Sequence, residues 1–219
     1  MNLGEIYETL LKYFGGQYWW PGETKFEIIV GAILTQQTSW RNVEKAIQNL
    51  KKENMLNEVS LHKATVKKIE KTIKPSGFYK IKTKRLKNFL NFVFKKYDGN
   101  LEKFFNLPKE QLRKELLSIN GVGKETADSM ILYAAEKPIF VVDAYTHRIF
   151  NRIGIINWDD YEKTRIFFEE ELEENIEMFK EFHALIVQLG KNICKPKPKC
   201  NICPLNIRCK YAISINNST

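Results

Sequence analysis

The 219-residue chain has room for one large domain or two small ones, and its hydrophobic content of 43% agrees with a folded globular protein. No apolar run approaches the roughly 18 residues of a membrane-spanning helix, and Met1–Tyr18 lacks the basic and apolar regions of a signal peptide, so we expect a cytosolic protein with no membrane contact. The net charge of +9 favours a polyanionic partner.

The charge is distributed unevenly along the chain. Lys63–Lys87 contains ten basic residues and one acidic residue, and Lys191–Lys210 contains six basic residues and no acidic one. Asp159–Glu181, by contrast, contains ten acidic and three basic residues. We therefore expect one face of the protein to be basic and a different face to be acidic.

Apolar residues recur at helical spacing through most of the chain, and no segment alternates convincingly over more than about four residues. The nearest candidate for a strand is Ile139–Val142. The sequence therefore predicts an all-α fold. Helices are predicted over Met1–Phe14, Glu23–Leu34, Trp40–Lys52, Ser60–Lys74, Tyr79–Tyr97, Pro108–Ser118, Lys124–Glu136, Asp143–Ile153, Asp159–Glu174 and Ile176–Lys191.

An aromatic loop follows the first predicted helix. Trp19 and Trp20 are adjacent there and are followed by Pro21, within a segment bracketed by glycines. Two exposed tryptophans are unfavourable, so they either pack on the core or offer a stacking surface to a ligand. Trp40 comes later, in the first turn of a predicted helix, after a polar segment that includes Gln36.

A glycine-rich turn joins two predicted helices in the second half of the chain. Gly121 and Gly123 flank Val122, and because they lack a Cβ they permit positive φ and a close approach to another molecule. The first N–H groups of the next helix, with Lys124 beside them, form a potential anion site. An ordinary connection between helices has the same features, and both interpretations stay open at this level.

Asp143 ends the apolar run and begins the following helix. A carboxylate at a helix N-terminus stays ionised easily because the helix dipole favours its charge. It also caps the helix, and capping alone explains its presence.

The four cysteines of the chain lie close together near its end. Cys194, Cys200, Cys203 and Cys209 are spaced C-x5-C-x2-C-x5-C. Zinc normally takes two C-x2-C pairs that are separated by a longer span, whereas iron–sulfur clusters accept irregular spacing. We expect a four-sulfur metal site and favour a [4Fe–4S] cluster over zinc. Two prolines between the first two cysteines keep that loop extended, and three lysines suited to phosphate contacts alternate with them: Lys195, Lys197 and Lys199.

Taken together, these motifs resemble the signature of the endonuclease III superfamily of helix-hairpin-helix DNA glycosylases. The resemblance consists of N-G-V-G-K-x-T-A at 120–127, V-V-D at 141–143 and R-x-x-N-R at 148–152, and it extends from about Phe26 to Cys209. It implies a two-domain fold. Residues 22–135 would form a six-helix barrel with the hairpin at about 112–134, and residues 1–21 and 136–219 would form an iron–sulfur domain.

The resemblance also implies a role for each motif. Asp143 would be the catalytic carboxylate, and Gln36 would enter the gap that an extruded nucleotide leaves in the duplex. The four cysteines would hold a [4Fe–4S] cluster, although the family usually has six residues in the first gap rather than five. The partner would be double-stranded DNA that contains a damaged base, bound by a monomer. The other implied DNA contacts are Gly121, Val122, Gly123, Lys124, Thr126, Lys195, Lys197 and Lys199.

Two departures from family patterns refine the expected reaction. Bifunctional members have a nucleophilic lysine where this chain has Glu125, and Lys124 is turned about 100° away on a helix, so we expect base release without lyase activity. The adenine glycosylase branch has a glutamate four residues before the glutamine, where this chain has Ala32.

The segments W-W-P, K-F-E and P-S-G-F-Y resemble the 3-methyladenine branch, whose base pocket would be lined here by Trp19, Trp20, Pro21 and Trp40. The characterised type of that branch lacks the cluster cysteines. We therefore expect removal of an alkylated purine and keep two alternatives. One is a glycosylase or lyase for oxidised pyrimidines or for uracil and thymine opposite guanine, and the other is a non-catalytic DNA-binding protein with a redox-sensing cluster. The three scattered histidines are interpreted as structural: His62, His147 and His183.

Overall fold

The computed structural model describes residues 1–19 and 22–216, and its regular elements in these ranges are all helices. The predicted all-α class is confirmed. No helix in these ranges has both the length and the apolarity that crossing a bilayer requires. The chain divides into two compact units: a discontinuous unit of Met1–Trp19 with Pro138–Thr219, and a continuous unit of Trp20–Lys137.

The α-helices number in chain order as follows: α1 Leu3–Phe14, α2 Lys25–Leu34, α3 Trp40–Lys52, α4 Glu58–Lys63, α5 Val66–Thr72, α6 Tyr79–Tyr97, α7 Leu101–Phe105, α8 Lys109–Ser118, α9 Lys124–Ser129, α10 Ala144–Ile153, α11 Tyr161–Glu171, α12 Ile176–Asn192 and α13 Lys210–Asn216. Three 3₁₀ turns occupy Lys74–Ser76, Cys200–Ile202 and Asn206–Arg208, and a π-helical turn, Met130–Ala134, continues α9.

Most predicted helices occur within a few residues of their expected ends, and the exceptions have local causes. The single helix predicted over Ser60–Lys74 is two helices, because Thr65 caps α5 by accepting a hydrogen bond from Lys68 N–H. The segment before Asp143 is extended, but it forms no strand. Its backbone donors bond to side chains instead, with Phe140 N–H to Glu169 Oε1 at 2.9 Å and Val142 N–H to Tyr161 Oη at 3.5 Å.

The continuous unit is built around α2. This helix is buried along nearly its whole length and packs against α3, α6 and the π-helical turn. The ring of Trp40 packs on α2 at Gly31, where a Cβ would lie at an ordinary van der Waals distance of 3.7 Å from Trp40 Cη2. A bidentate ion pair joins α8 to α9, with Arg113 Nε 2.7 Å from Oδ1 of the fully buried Asp128 and Nη2 3.1 Å from Oδ2. The two arms of the glycine turn are thereby fixed to each other.

A buried lysine fixes two further turns of this unit. Lys82, on α6, is 1% exposed, and its Nζ donates to Leu34 O at 2.8 Å and to Ser76 O at 2.7 Å. Leu34 ends α2, where a carbonyl has no donor within its own helix. Burial, with a smaller contribution from the nearby Arg85, lowers the pKa of Lys82 to about 8. The ammonium thus connects the turn before Gln36 to the 3₁₀ turn before α6.

The discontinuous unit has α10 and α12 at its centre, with α1 against α12 and α13 against α10. Gly190 of α12 lies where a Cβ would come within 2.4 Å of Tyr145 Cδ1, so this glycine permits the close packing of α10 on α12. The core is aromatic, with neighbouring rings in edge-on or stacked contact: Phe140, Phe150, Phe168, Phe179 and Phe182.

Lys82→Met tests the buried ammonium through the pH dependence of stability. The folded pKa of about 8 lies below the ordinary lysine value of 10.5, so the unfolded chain holds more protons between these two pH values. The unfolding free energy of the wild type should therefore rise relative to that of Lys82→Met from pH 8 to pH 10.5, by about 3 kcal/mol in total. Urea unfolding of both proteins across this range measures the difference. A difference independent of pH would contradict the depressed pKa.

Candidate functional site

The two glycines of the turn between α8 and α9 have different environments. Gly121 has φ +98°, and a Cβ there would lie 2.3 Å from Arg85 Cγ. Gly123, the N-cap of α9, has φ −90° and is exposed, and a Cβ there would meet no atom within 4 Å. Gly121 is therefore required by the fold of the turn. Gly123 leaves its backbone open to a ligand.

Gln36 is hydrogen bonded to this turn rather than extended into solvent. Its Nε2 donates to Gly121 O at 3.1 Å and to Thr126 Oγ1 at 2.9 Å, and Arg85 Nη1 donates to its Oε1. The structure thus brings together three predicted DNA-contact residues, Gln36, Gly121 and Thr126. In addition, Asn88 Nδ2 donates to Asn120 O at 2.9 Å. The turn is held from α6 by two side chains that the sequence motifs did not single out.

Phe78 is a surface feature that the sequence analysis did not identify. It is the N-cap of α6, has φ +44°, and is 64% exposed. A left-handed backbone is unfavourable for an aromatic residue, and because the Phe78 side chain is largely exposed, little burial of apolar surface offsets that strain. It also lies in the basic segment Lys63–Lys87. The signal was present in the sequence as an aromatic residue directly after Ser76-Gly77 and before a lysine-rich helix.

In the discontinuous unit, Asp143 caps α10 with one carboxylate oxygen. Its Oδ1 accepts hydrogen bonds from Thr146 N–H at 2.8 Å and Thr146 Oγ1 at 2.9 Å, and Thr146 Oγ1 in turn accepts from Asp143 N–H. Its Oδ2 lies 3.8 Å from His183 Nε2. Burial raises the pKa of Asp143. His183 and the hydrogen bonds from Thr146 lower the pKa by more than burial raises it, so the net shift is downward. The carboxylate is therefore ionised at neutral pH although its side chain is only 11% exposed.

His183 joins Asp143 to the aromatic loop. The histidine is 4% exposed, and its ring centroid lies 5.6 Å from that of Trp19 at an interplanar angle of 54°. Lys191 Nζ lies 5.9 Å from the Trp19 ring centroid. The interpretation of His183 as merely structural missed this contact. The available signal was a polar residue at a buried position of the apolar helix α12.

The backbone of the aromatic loop is fixed to the same helix. Gln17 N–H donates to Glu181 Oε1 at 2.5 Å, and Tyr18 N–H donates to Oε2 at 3.2 Å. Of the four predicted pocket residues, Trp19 belongs to the discontinuous unit and Trp40 to the continuous unit. Trp20 and Pro21 lie outside the described residues.

The four cysteines surround two short 3₁₀ turns between α12 and α13. Burial raises the pKa of the Cys203 thiol to about 11, and the other three sulfurs add to this because their charges interact with it. Arg152 Nη1 donates to Cys194 Sγ at 3.4 Å, and Cys209 Sγ donates to Arg152 O at 3.4 Å. Burial and mutual repulsion oppose the ionisation of these thiols, and Arg152 lies beside them. A cationic iron–sulfur core would favour their thiolate form, so the donor set is of the kind that such a cluster would bind.

Residues 1–19 and 22–216 contain no set of three or more His, Cys, Asp or Glu side chains that converges on a single metal ion. A [4Fe–4S] cluster does not require such convergence, because each thiolate binds a different iron. The cysteines present therefore fit the cluster. The neighbouring lysines are exposed, as their predicted role requires: Lys195, Lys197 and Lys199.

Arginines of α10 hold the cysteine segment in place. Arg148 Nε donates to Cys194 O at 2.9 Å and its Nη2 to Gly190 O at 3.0 Å. Arg152 donates to Lys195 O at 2.6 Å and to Pro196 O at 2.9 Å. The helix that begins at Asp143 is thus fixed to the loop that carries the first cysteine.

Residues 30–174 match the family described as HhH-GPD superfamily base excision DNA repair protein. A candidate DNA repair glycosylase from Methanocaldococcus jannaschii is 50% identical over 94% of each chain. The fold is similar to that of an endonuclease III in a non-covalent complex with DNA, with a TM-score of 0.83, 22% identity and coverage of 98% of this chain and 97% of that one. It is also similar to an H. pylori 3-methyladenine DNA glycosylase bound to 1,N6-ethenoadenine, with a TM-score of 0.76, 30% identity and coverage of 87% and 98%.

Alanine at each glycine of the turn should separate folding from ligand binding. Gly121→Ala should lower the unfolding free energy by about 1–3 kcal/mol, because it forces a non-glycine residue to positive φ and against Arg85. Gly123→Ala should change stability by less than about 0.5 kcal/mol. It should nevertheless weaken duplex binding about tenfold, because its methyl group would stand where a phosphate approaches the backbone. Denaturant unfolding and fluorescence anisotropy at fixed salt measure the two effects. Wild-type DNA affinity in Gly123→Ala would exclude the turn as a phosphate site.

Proposed function

The chain belongs to the HhH-GPD superfamily and is a DNA glycosylase of base excision repair, and we propose that it acts as a monofunctional enzyme. In this proposal it hydrolyses the bond between deoxyribose C1′ and a damaged base, with Asp143 as the catalytic carboxylate and water as the nucleophile. It uses no amine of its own.

The observation that carries this proposal is the state of Asp143. Oδ1 is occupied by Thr146, whereas Oδ2 has no closer polar partner than His183 Nε2 at 3.8 Å among the contacts of the described residues. The downward shift of its pKa keeps a negative charge at Oδ2 at neutral pH. A buried anion of this kind stabilises positive charge that develops on a sugar. The place of the nucleophilic lysine is taken by Glu125, which cannot form a Schiff base.

The proposed reaction needs little beyond this carboxylate once the nucleotide has been extruded from the helix. The bond from C1′ to the base nitrogen breaks, and its electron pair leaves with the base. The anomeric carbon becomes cation-like, and the charge of Asp143 lowers the energy of that state. Water then bonds to C1′ and gives a proton to Oδ2, so that the products are free base and an abasic site.

The proposed DNA contacts come from the continuous unit and from the cysteine segment. The open backbone at Gly123 and the side chain of Lys124 would hold one phosphate. Phe78 fits the role of an apolar wedge between bases, since its side chain is exposed at a turn with a left-handed backbone. For Gln36 to enter the duplex as well, its hydrogen bonds to Gly121 and Thr126 would have to break and be replaced by bonds to the DNA. Lys195, Lys197 and Lys199 would add phosphate contacts.

The cofactor in this proposal is a [4Fe–4S] cluster held by Cys194, Cys200, Cys203 and Cys209. When bound, it supplies a rigid anchor for the loop of three lysines. The protein's own contribution is visible in Arg148 and Arg152, which bond to the backbone of this segment. Asp143 and the cysteine segment are fixed to opposite ends of α10. We therefore assign the cluster a structural role in the proposal.

For the substrate we propose an alkylated purine. A base that carries a positive charge leaves as a neutral molecule, which suits an enzyme that acts by electrostatic stabilisation alone. Stacking on tryptophan also favours a cationic ring. The 30% identity to a glycosylase that binds 1,N6-ethenoadenine supports this class. Removal of uracil or thymine opposite guanine is the second candidate, favoured by the four-cysteine segment that the characterised 3-methyladenine type lacks.

A panel of duplexes tests reaction and substrate together. Duplexes with 1,N6-ethenoadenine, with methylated purines, with uracil or thymine opposite guanine, and with an oxidised pyrimidine should show base release from the purine lesions and no adduct after borohydride reduction. Asp143→Asn should reduce release by about 10²–10⁴-fold while binding the duplex normally. A trapped adduct would end the monofunctional proposal. Release of uracil or thymine from the guanine mismatches alone would show that the substrate is a mismatched pyrimidine and not an alkylated purine. The hydrolytic mechanism would still stand.

The cluster proposal has its own measurement. Elemental analysis of anaerobically purified protein should find about four iron atoms per chain and no stoichiometric zinc. Cys203→Ser should lose most of the iron and lower the melting temperature, because it removes one of the four proposed thiolate ligands. One zinc ion per chain in place of iron would contradict the assignment.

A further inference from the structure

Each carboxylate oxygen of Asp143 faces a different residue, and the residue that faces Oδ2 has no role in the mechanism proposed above. Thr146 bonds to Oδ1 as part of the α10 cap. His183 approaches Oδ2 from α12 and is forty residues further along the chain than Asp143. We propose that His183 is a positioning residue for the reaction, which fixes the Oδ2 side of the Asp143 carboxylate and the indole of Trp19 relative to each other. This inference rests on the proposed function of Asp143.

The geometry favours this role over simple core filling. His183 is 4% exposed, and a buried imidazole is unfavourable unless its nitrogens face polar groups. Its Nε2 faces the carboxylate at 3.8 Å, a separation that allows electrostatic attraction and is longer than a hydrogen bond. The remaining volume around α12 is filled by phenylalanines and aliphatic residues. Packing against these apolar residues does not by itself require a histidine at this position.

The second contact of His183 connects the carboxylate to the aromatic loop. The Trp19 ring lies against the imidazole at a centroid distance of 5.6 Å. Glu181, two residues earlier on α12, accepts the N–H groups of Gln17 and Tyr18 and so fixes the loop backbone. One turn of α12 therefore determines both where the loop runs and where its tryptophan lies relative to Asp143.

Glu181 and Lys191 are charged residues of α12 that lie beside this cluster. Glu181 accepts the N–H groups of the loop backbone, and Lys191 Nζ lies 5.9 Å from the centroid of the Trp19 ring. From α10 the groups that meet Asp143 are the amide and hydroxyl of Thr146. Tyr7 of α1 packs edge-on against Phe182. Among the groups that lower the pKa of this carboxylate, His183 is the ionisable one, and the others are the amide and hydroxyl of Thr146.

The first test measures the carboxylate directly in the full-length protein without DNA. Carbon-13 NMR of aspartate side-chain carboxyls, with the Asp143 signal assigned by its absence in Asp143→Asn, gives the titration midpoint of that group. His183→Leu removes the attraction but not the burial, so the midpoint should rise by about one pH unit or more. In His183→Gln, whose amide reaches a similar distance from the carboxylate, the Asp143 midpoint should lie between those of the wild type and His183→Leu.

His147→Gln is the matched control. His147 lies four residues after Asp143, on α10, but its Nε2 pairs with Thr164 Oγ1 at 3.1 Å rather than with the carboxylate. This substitution should leave the Asp143 midpoint within experimental error of the wild type. If His183→Leu does not fold, His183→Asn takes its place, because the shorter amide stops short of Oδ2.

The second test uses base release from the duplex that the wild type processes. His183→Leu should reduce the single-turnover rate about 10- to 100-fold with little change in duplex affinity, because a carboxylate displaced by a fraction of an ångström is less effective. The acid limb of its pH–rate profile should shift upward with the NMR midpoint, and His183→Gln should recover most of the rate.

The outcomes separate the two proposals. If Asp143→Asn releases base as fast as the wild type, the proposed function of Asp143 fails, whatever His183 does. If Asp143→Asn is inactive but His183→Leu matches His147→Gln in both midpoint and rate, the positioning role of His183 is wrong and the proposed function stands.

Discussion

The discontinuous unit depends on keeping one nearly buried carboxylate ionised. Removal from water disfavours the charge of Asp143, and several features of the unit oppose that effect. The N-terminus of α10 supplies a favourable dipole, Thr146 donates two hydrogen bonds, and His183 faces the remaining oxygen. The shift of the pKa is downward in spite of burial. A carboxylate in this state is a source of negative potential that needs no reorganisation when positive charge develops beside it.

Helices α10 and α12, which position Asp143, also position other parts of the discontinuous unit. Towards its N-terminus α12 holds the aromatic loop through Glu181, in its middle it supplies His183, and near its end Gly190 O accepts from Arg148 of α10. Arg148 and Arg152 extend the connection to the cysteine segment. The stacking residue, the carboxylate and the cysteines are therefore positioned by two packed helices, although they come from both ends of the sequence. A change in the packing of α10 on α12 should affect all three.

Local sequence patterns predicted most of the helices and the residue types of the site, but they missed the short helices α7 and α13. Long-range contacts were not predictable from them. Periodicity predicted α6 at its observed bounds, because its apolar stripe and its flanking turns are strong local signals. The division at Thr65 was missed, since a single cap bond competes there with an otherwise continuous pattern. Both glycines of the turn looked equivalent in sequence. Their difference arises from Arg85, a contact 36 residues away. The approach of His183 to Asp143 was not predictable for the same reason, because the two residues lie forty positions apart in the chain.

The two substrate classes place different demands on this carboxylate. In the proposed mechanism a cationic purine would leave as a neutral base, so the enzyme would need to stabilise only the sugar, which is the role proposed for Asp143 with water as the nucleophile. Uracil leaves as an anion, and its departure places negative charge close to the negative charge of Oδ2. Such a reaction requires hydrogen-bond donors directed at the base to offset the repulsion. The histidine beside Asp143 does not meet that need, because it faces the carboxylate itself. The arrangement around Asp143 thus favours a leaving group that already carries positive charge.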